Sequence, residues 1–418
     1  MPDFSQVKAG RGGATFIATA DAIARANLWA RIPTRLLIQA GQVSLRSAKD
    51  ILTGTTNIAW EDWFTIKETL RIDFTVGREP RLAEPLARNY ATLLIKDGIC
   101  DRFRLKTSER PSIDTQFPDI RVWAYLDQNL LTLYLDTSGE PLFKRGWRRS
   151  KGEAPLRENL AAALILLSGW DRQSPLLDPF CGSGTLLIEA MQQACGLPPG
   201  FHPRQPRTFS AEKFHPRSPM GQVNWSRLRQ DAQRKIEEAQ AHAQQHRPPP
   251  MIGSDLDPQL IHVAQQNAAR ALPAEIASAI TWQVSSFTDI TPSPGPGLWV
   301  TNPPYGKRLV RPQDSRAGGP REESGAGTED SFEFERELGE VLKKKFAGWQ
   351  AWILTDNLKL ESAMRLKAAR RIPVFNGDLD CRWMRFDMVS GSNRERQSGH
   401  GNPQAQPQTE YQAKPHAD

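Results

Sequence analysis

Two short stretches hold residue types that could do chemistry. LLDPFCGSGTLL (176–187) joins an apolar run to a helical pattern through Asp178, Phe180, Gly182 and Gly184. Glycines in such a turn let the backbone approach a bound molecule closely. The spacing is not G-x-G-x-x-G and no P-loop lysine follows, so phosphate binding is disfavoured. A carboxylate at the end of the run, Asp178, suits instead a cofactor with a positive group. Cys181 has no histidine near it in sequence and reads as a small packing residue.

The second stretch is TNPPYGKRL (301–309), which follows the apolar run LWVT (298–301). Two prolines cannot extend a sheet, because proline donates no backbone hydrogen bond and forces its predecessor into an extended conformation. They can hold acceptors still. The Asn302 side-chain oxygen and the Pro303 carbonyl can each accept one N–H of an exocyclic amino group, leaving its lone pair free to attack. Pro304 stiffens that geometry, and Tyr305 offers a flat face for a flipped-out base. Such a nitrogen is a weak nucleophile, so the catalysis expected is alignment with an electrophilic methyl group, without a strong base.

These stretches need a scaffold that brings strand ends together. PLLD (175–178), MIGSD (251–255), ITWQV (280–284), LWVT (298–301) and AWILTD (351–356) alternate with helical patterns at 154–170, 185–194, 259–272 and around 332–346, and CRWMRFDMV (381–389) reads as a last strand. Strand–helix alternation predicts an α/β fold with a doubly wound, mostly parallel sheet, and its cofactor crevice lies at the carboxyl ends of the strands. An acidic residue ending the second strand is expected to accept hydrogen bonds from ribose hydroxyls. Asp255 fills that place, and an insertion at 196–250 explains its distance from Asp178. Asp257 competes for the role, but its place before Pro258 reads as a helix cap. Ahead of this unit, GATFIA (13–18), TRLLIQA (34–40), LRIDFTV (70–76), DIRVWAYL (119–126) and LLTLYLDT (130–137) read as strands. Helical patterns at 21–32, with Asp21 as N-cap, and at 84–103 complete a small α+β module. Residues 311–330 read as a flexible loop and 391–418 as a disordered tail.

Composition narrows the partners. The chain has 418 residues, 39% apolar, with 54 basic against 47 acidic side chains and a net charge of +7. A pI near 9.3 fits a polyanion partner such as nucleic acid. The four cysteines form no CxxC pair and the seven histidines show no ligand spacing, so neither a disulfide framework nor a metal is expected. No apolar run is long enough to span a bilayer, and a cytoplasmic protein is expected.

With DPFCGSG and NPPYG in place, the chain resembles the bacterial THUMP-containing guanine-N2 rRNA methyltransferases. It looks most like the first methyltransferase half of the bifunctional large-subunit (23S) enzymes and their standalone relatives. The similarity runs from about residue 10 to 390 and includes FPDIRVWAYLD, LDTSGEPLFKRGWR, APLRENLAAALILLSGW and RIPVFNGDLDCRWMRF. It implies a class I Rossmann-like methyltransferase domain at 141–390, a THUMP RNA-binding domain at 21–140 and part of a ferredoxin-like piece at 1–20. It implies S-adenosylmethionine as cofactor, held by Asp178, Phe180, Gly182, Gly184 and Asp255, and Asn302, Pro303, Pro304 and Tyr305 as the clamp on the target base. Lys144, Arg145, Arg148 and Arg149 would touch the phosphates of the RNA partner, 23S rRNA or a ribosome assembly intermediate. One departure concerns the adenine end of the cofactor. Relatives often carry an aspartate there, where this chain has Ser286 followed by Phe287. The rival expectations are the same chemistry on tRNA guanosine or on adenine N6, and a catalytically silent RNA-binding or assembly factor.

Overall fold

The computed structural model describes residues 3–10, 12–77, 86–148, 156–202, 206–304 and 332–389. Tyr305, Arg149, the 311–330 loop and the 391–418 tail lie outside the described residues. The chain begins with an antiparallel hairpin, β1 (Phe4–Gly10) and β2 (Gly13–Ala18), followed by α1 (Ala20–Trp29). Thr19, not Asp21, caps that helix: its hydroxyl accepts the Ala22 N–H at 3.2 Å. Asp21 sits in the first turn, where negative charge meets the positive end of the helix dipole.

A four-stranded sheet follows, in the order β3-β6-β5-β4. Its strands are β3 (Leu37–Ser44), β4 (Leu70–Val76), β5 (Ile120–Asp127) and β6 (Leu130–Asp136). α2 (Lys49–Thr56) lies between β3 and β4 in the chain, and α3 (Arg88–Thr107) is the crossover that lets β4 and β5 run parallel. Alternate residues of β5, namely Ile120, Val122, Ala124 and Leu126, are buried, while Tyr125 and Asp127 on the other face are exposed. Ile51, Ile95, Ile99 and Phe103 of the two helices complete this core.

The second unit opens with α4 (Glu158–Ser168) and holds a seven-stranded sheet in the order β12-β13-β11-β10-β7-β8-β9. The strands are β7 (Leu176–Asp178), β8 (Met251–Asp255), β9 (Ile280–Val284), β10 (Leu298–Thr301), β11 (Gln350–Thr355), β12 (Arg370–Asn376) and β13 (Leu379–Asp387). Neighbours from β9 across to β11 pair in parallel, and β13 is antiparallel to both β11 and β12. The strand order turns around at β7, which has β8 on one side and β10 on the other. The carboxyl ends of β7 and β10 therefore flank the topological switch point, the place where open α/β sheets hold ligands. Helices α5 (Thr185–Ala194), α7 (Pro258–Ala271), α8 (Ala274–Ala277), α9 (Glu333–Lys345) and α10 (Leu360–Met364) cover the sheet. Pro373 is tolerated in β12 because β12 is an edge strand.

The described part of the 196–250 insertion is a structural strap. Phe209, Phe214, Met220, Trp225 and Leu228 are buried in the core of the first unit, and Phe209 stacks on Trp225 at 5.3 Å between centroids. Ile236, further along α6 (Trp225–Gln245), is buried in the core of the second unit. One helix thus enters both hydrophobic cores.

Candidate active site

The turn from β7 to α5 is shaped by glycine at two positions. Gly184 has φ +81°, and a Cβ there would come within 2.7 Å of the Trp282 ring and 3.1 Å of Ala264. Gly182 has φ +51°, and a Cβ there would meet nothing within 4 Å, so one side of the loop faces open space. The loop is pinned from below: Cys181 N–H donates to the Ser254 carbonyl at 2.9 Å and Gly184 N–H to the Cys181 carbonyl at 2.8 Å. Asn267 of α7 adds a side-chain N–H to the Ser183 carbonyl at 3.1 Å. Cys181 is buried and burial pushes its thiol well up, away from any nucleophilic role.

Asp255 reaches this loop directly. Its Oδ2 accepts the Gly182 N–H at 3.1 Å and its Oδ1 accepts the Asp257 N–H at 3.0 Å. Asp257 caps α7 by accepting the Gln259 N–H at 2.8 Å, with Pro258 at the first helical position. Burial raises the Asp255 carboxyl above its ordinary value. Asp178, 2% exposed, is pushed up to about 7, first by burial, with the Asp255 charge adding to it. Two donors oppose that rise: Thr301 Oγ1 at 2.9 Å and Phe180 N–H at 3.2 Å, both on Asp178 Oδ1. Thr301 is the last residue of β10, so this hydrogen bond ties the strand that delivers Asn302, Pro303 and Pro304 to the carboxylate that ends β7. Pro303 is buried, and Asn302 and Pro304 are half-buried.

Aromatic side chains wall the same crevice. Phe180 lies 5.2 Å from Phe287 and 5.5 Å from Phe334, and Phe287 lies 5.6 Å from Phe334, which makes a three-ring cluster. The Ser286 hydroxyl accepts from Thr288 N–H at 3.2 Å and Thr288 Oγ1 at 2.8 Å, so it shapes its own turn. Leu256, next to Asp255, is 71% exposed, an apolar side chain left open at the strand end. Sequence reasoning did not single out Thr301, Phe334 or Leu256. A polar residue closing the apolar run LWVT was the signal available for Thr301, and Phe334 comes from a distant helix with no signal of its own.

The basic linker is placed differently from expectation. Lys144 is exposed, in an ion pair with Glu140 at 2.5 Å. Arg145 is corrected: its side chain is 1% exposed, ion-paired with buried Glu189 at 3.2 Å and donating to the Leu142 and Arg31 carbonyls. Arg148 is corrected as well, being 10% exposed, ion-paired with Glu158 at 3.2 Å and donating to Thr185 Oγ1 at 2.7 Å. A guanidinium committed inside the protein cannot meet a phosphate outside it.

A cleft of about 1010 Å³, lined by residues that include Arg172, Lys235, His242 and Pro250, opens at the amino ends of β7 and β8, away from this crevice. Among the described residues there is no group of three or more potential metal ligands, and no helix is long and apolar enough to cross a membrane.

The RMKL-like methyltransferase domain matches residues 145–317, and the THUMP domain matches residues 46–136. A Synechocystis sp. protein named "Putative RNA methyltransferase slr0064" is 34% identical over 92% of this chain and 90% of its own length. The chain belongs to this family of THUMP-domain RNA methyltransferases. The ribosomal RNA large subunit methyltransferase K/L of Shewanella frigidimarina is 33% identical over 93% of the chain, which spans 50% of that longer protein. A Listeria monocytogenes structure described as a "predicted N6-adenine-specific DNA methylase" superposes with TM-score 0.73 at 27% identity, covering 91% of this chain and 90% of that one. SMU.472, described as "a putative methyltransferase complexed with SAH", has the same fold, with TM-score 0.71 and 24% identity over 92% of each chain.

Proposed function

We propose that this enzyme transfers a methyl group to the exocyclic N2 of a guanosine in RNA, with 23S rRNA as the substrate. The observation that carries the reading is the Thr301–Asp178 hydrogen bond at 2.9 Å, which couples the Asn302–Pro304 segment to the glycine loop at the switch point. S-adenosylmethionine supplies a methyl group made electrophilic by its sulfonium. The residues present fit it. Asp178 offers a carboxylate to a cationic group, Gly182 leaves open space beside the backbone, and Asp255 presents acceptors for ribose hydroxyls. The three-ring cluster of Phe180, Phe287 and Phe334 keeps water from that side of the crevice.

On the substrate side, the Asn302 side-chain oxygen and the Pro303 carbonyl each accept one N–H of the guanine amino group. That orients the nitrogen lone pair at the methyl carbon. Once methylated, the held nitrogen would give up one proton to water. Alignment supplies most of the rate, so no strong base is needed. Tyr305 stacks the flipped base, and Lys144 and Arg149 meet phosphates.

Labelled S-adenosylmethionine with protein-free 23S rRNA, 16S rRNA, tRNA and duplex DNA tests this. Label is expected in 23S rRNA as N2-methylguanosine, and Asn302→Ala is expected to abolish it while cofactor binding persists. Label in tRNA alone would move the substrate. Label in DNA as N6-methyladenine would favour instead the adenine chemistry for which the Listeria protein is named.

A further inference from the structure

We infer that Arg148 is a positioning residue for the cofactor, holding the glycine loop through Thr185, the first residue of α5. The inference rests on reading Gly182–Gly184 as the cofactor loop. That loop enters its helix without a side-chain cap, since Gly184 is the N-cap residue and has no side chain to offer. Two left-handed glycines, Gly182 and Gly184, leave the approach to α5 with little intrinsic preference of its own.

A neighbour from the linker supplies what is missing. The Arg148 Nη2 donates to Thr185 Oγ1 at 2.7 Å and to the Leu156 carbonyl at 2.9 Å, and its Nε stands 3.2 Å from Glu158 Oε1. The guanidinium also lies over the Trp147 ring at 5.4 Å. Thr185 Oγ1 is in turn 3.3 Å from Ser183 Oγ, inside the glycine loop. The contact therefore runs Arg148 to Thr185 to Ser183, with Thr185 4% exposed and shielded from competing water. Arg145, three residues earlier, grips Glu189 one turn further along the same helix face and carries Arg31 of the first unit with it. Arg31 donates to the Gln192 and Leu197 carbonyls at the far end of α5. Arg145 thus fixes where α5 sits against the first unit, and Arg148 fixes where α5 begins. Only the second sets the shape of the loop that the cofactor meets.

Calorimetric titration of S-adenosylhomocysteine into the full chain separates positioning from general packing. Thr185→Val keeps the side-chain shape and removes the acceptor. It is expected to weaken binding roughly tenfold and, because the buried guanidinium loses an acceptor, to lower the thermal midpoint modestly, with 23S RNA affinity unchanged. Arg148→Lys, which keeps a donor, is expected to fall between Thr185→Val and wild type, and the double variant to be no weaker than Thr185→Val alone. Wild-type affinity in Thr185→Val overturns the inference, as does a parallel loss of cofactor affinity, RNA affinity and thermal midpoint. Asp255→Ala serves as the control on the site. If it binds as tightly as wild type, the cofactor-loop reading itself fails. If it fails to bind while Thr185→Val binds normally, only the role of Arg148 falls.

Discussion

Asp178 carries an unusual load for a single side chain. Burial pushes its carboxyl from 3.8 up to about 7, so in the free protein the folded state holds its proton more tightly than the unfolded chain does. Stability of the free protein therefore falls as pH rises from about 4 to about 7 and levels off above, a loss on the order of 4 kcal/mol for a shift of this size. Asp178→Asn keeps an oxygen that can accept from Thr301 and Phe180, and it removes the ionisation. Its thermal midpoint is expected to exceed that of wild type at pH 8 and to match it near pH 4. The cost appears in function. On the proposed cofactor role of Asp178, only the ionised carboxylate attracts a cationic cofactor, so the affinity of wild type is expected to drop about tenfold for each pH unit below 7, and that of Asp178→Asn to be weak and flat across the same range. Calorimetry between pH 5.5 and 7.5 checks both. Asp178 was legible from the sequence because a carboxylate ending an apolar run is conspicuous. Arg145 and Arg148 were misleading for the opposite reason. A basic run looks the same whether its charges meet solvent or buried Glu189 and Glu158.

Local pattern placed elements in both units, those that build the site among them. GATFIA, LRIDFTV, MIGSD, ITWQV and LWVT are strands over the residues their alternation or apolar runs suggest, and α5 covers TLLIEAMQQA. β12 was hidden because Val374 and Phe375 put apolar residues on both faces and Pro373 interrupts the run; Phe375 is in fact 68% exposed. Nor does pattern reveal where an insertion docks. The apolar positions of residues 209–236 mark an amphipathic segment, but which core receives them is decided by side chains far away in sequence. Phe209, fully buried against Trp225, tests that docking. Phe209→Ala is expected to cost about 3–5 kcal/mol in urea unfolding of the first unit. In hydrogen exchange it should deprotect the amino end of α6 before the end that packs with Ile236. Unchanged protection throughout α6 would mean that the strap is held from the methyltransferase side alone.

At the scale of the whole molecule, charge is divided between holding the two units together and meeting a polyanion. The buried set of Arg31, Arg145 and Glu189 belongs to the first task. Burial lowers Arg31 to about 10 even with Glu189 beside it, so desolvation outweighs the attraction of the pair. Removing one partner is therefore costly. Arg145→Met leaves Glu189, among the described residues, with Arg31 at 4.0 Å as its remaining ion pair and is expected to destabilise the chain by about 3–5 kcal/mol; replacing Glu189 with leucine in the same protein leaves the buried Arg31 without its carboxylate and is expected to recover only part of that loss. On the proposed function, Lys144 belongs to the second task. Its pair with Glu140 is exposed at both ends, 59% and 68%, and such pairs contribute little, so the ammonium can exchange its carboxylate for a phosphate at small cost. Lys144→Ala is expected to leave the thermal midpoint unchanged and to reduce the slope of log affinity against log salt by about 0.7–0.9, the contribution of one phosphate contact. Arg145→Met, measured where it remains folded, is expected to keep the wild-type slope. Fluorescence anisotropy with a 23S rRNA fragment across a salt series makes the comparison. A loss of slope in Arg145→Met, with none in Lys144→Ala, would reverse the division of labour drawn between two neighbouring residues.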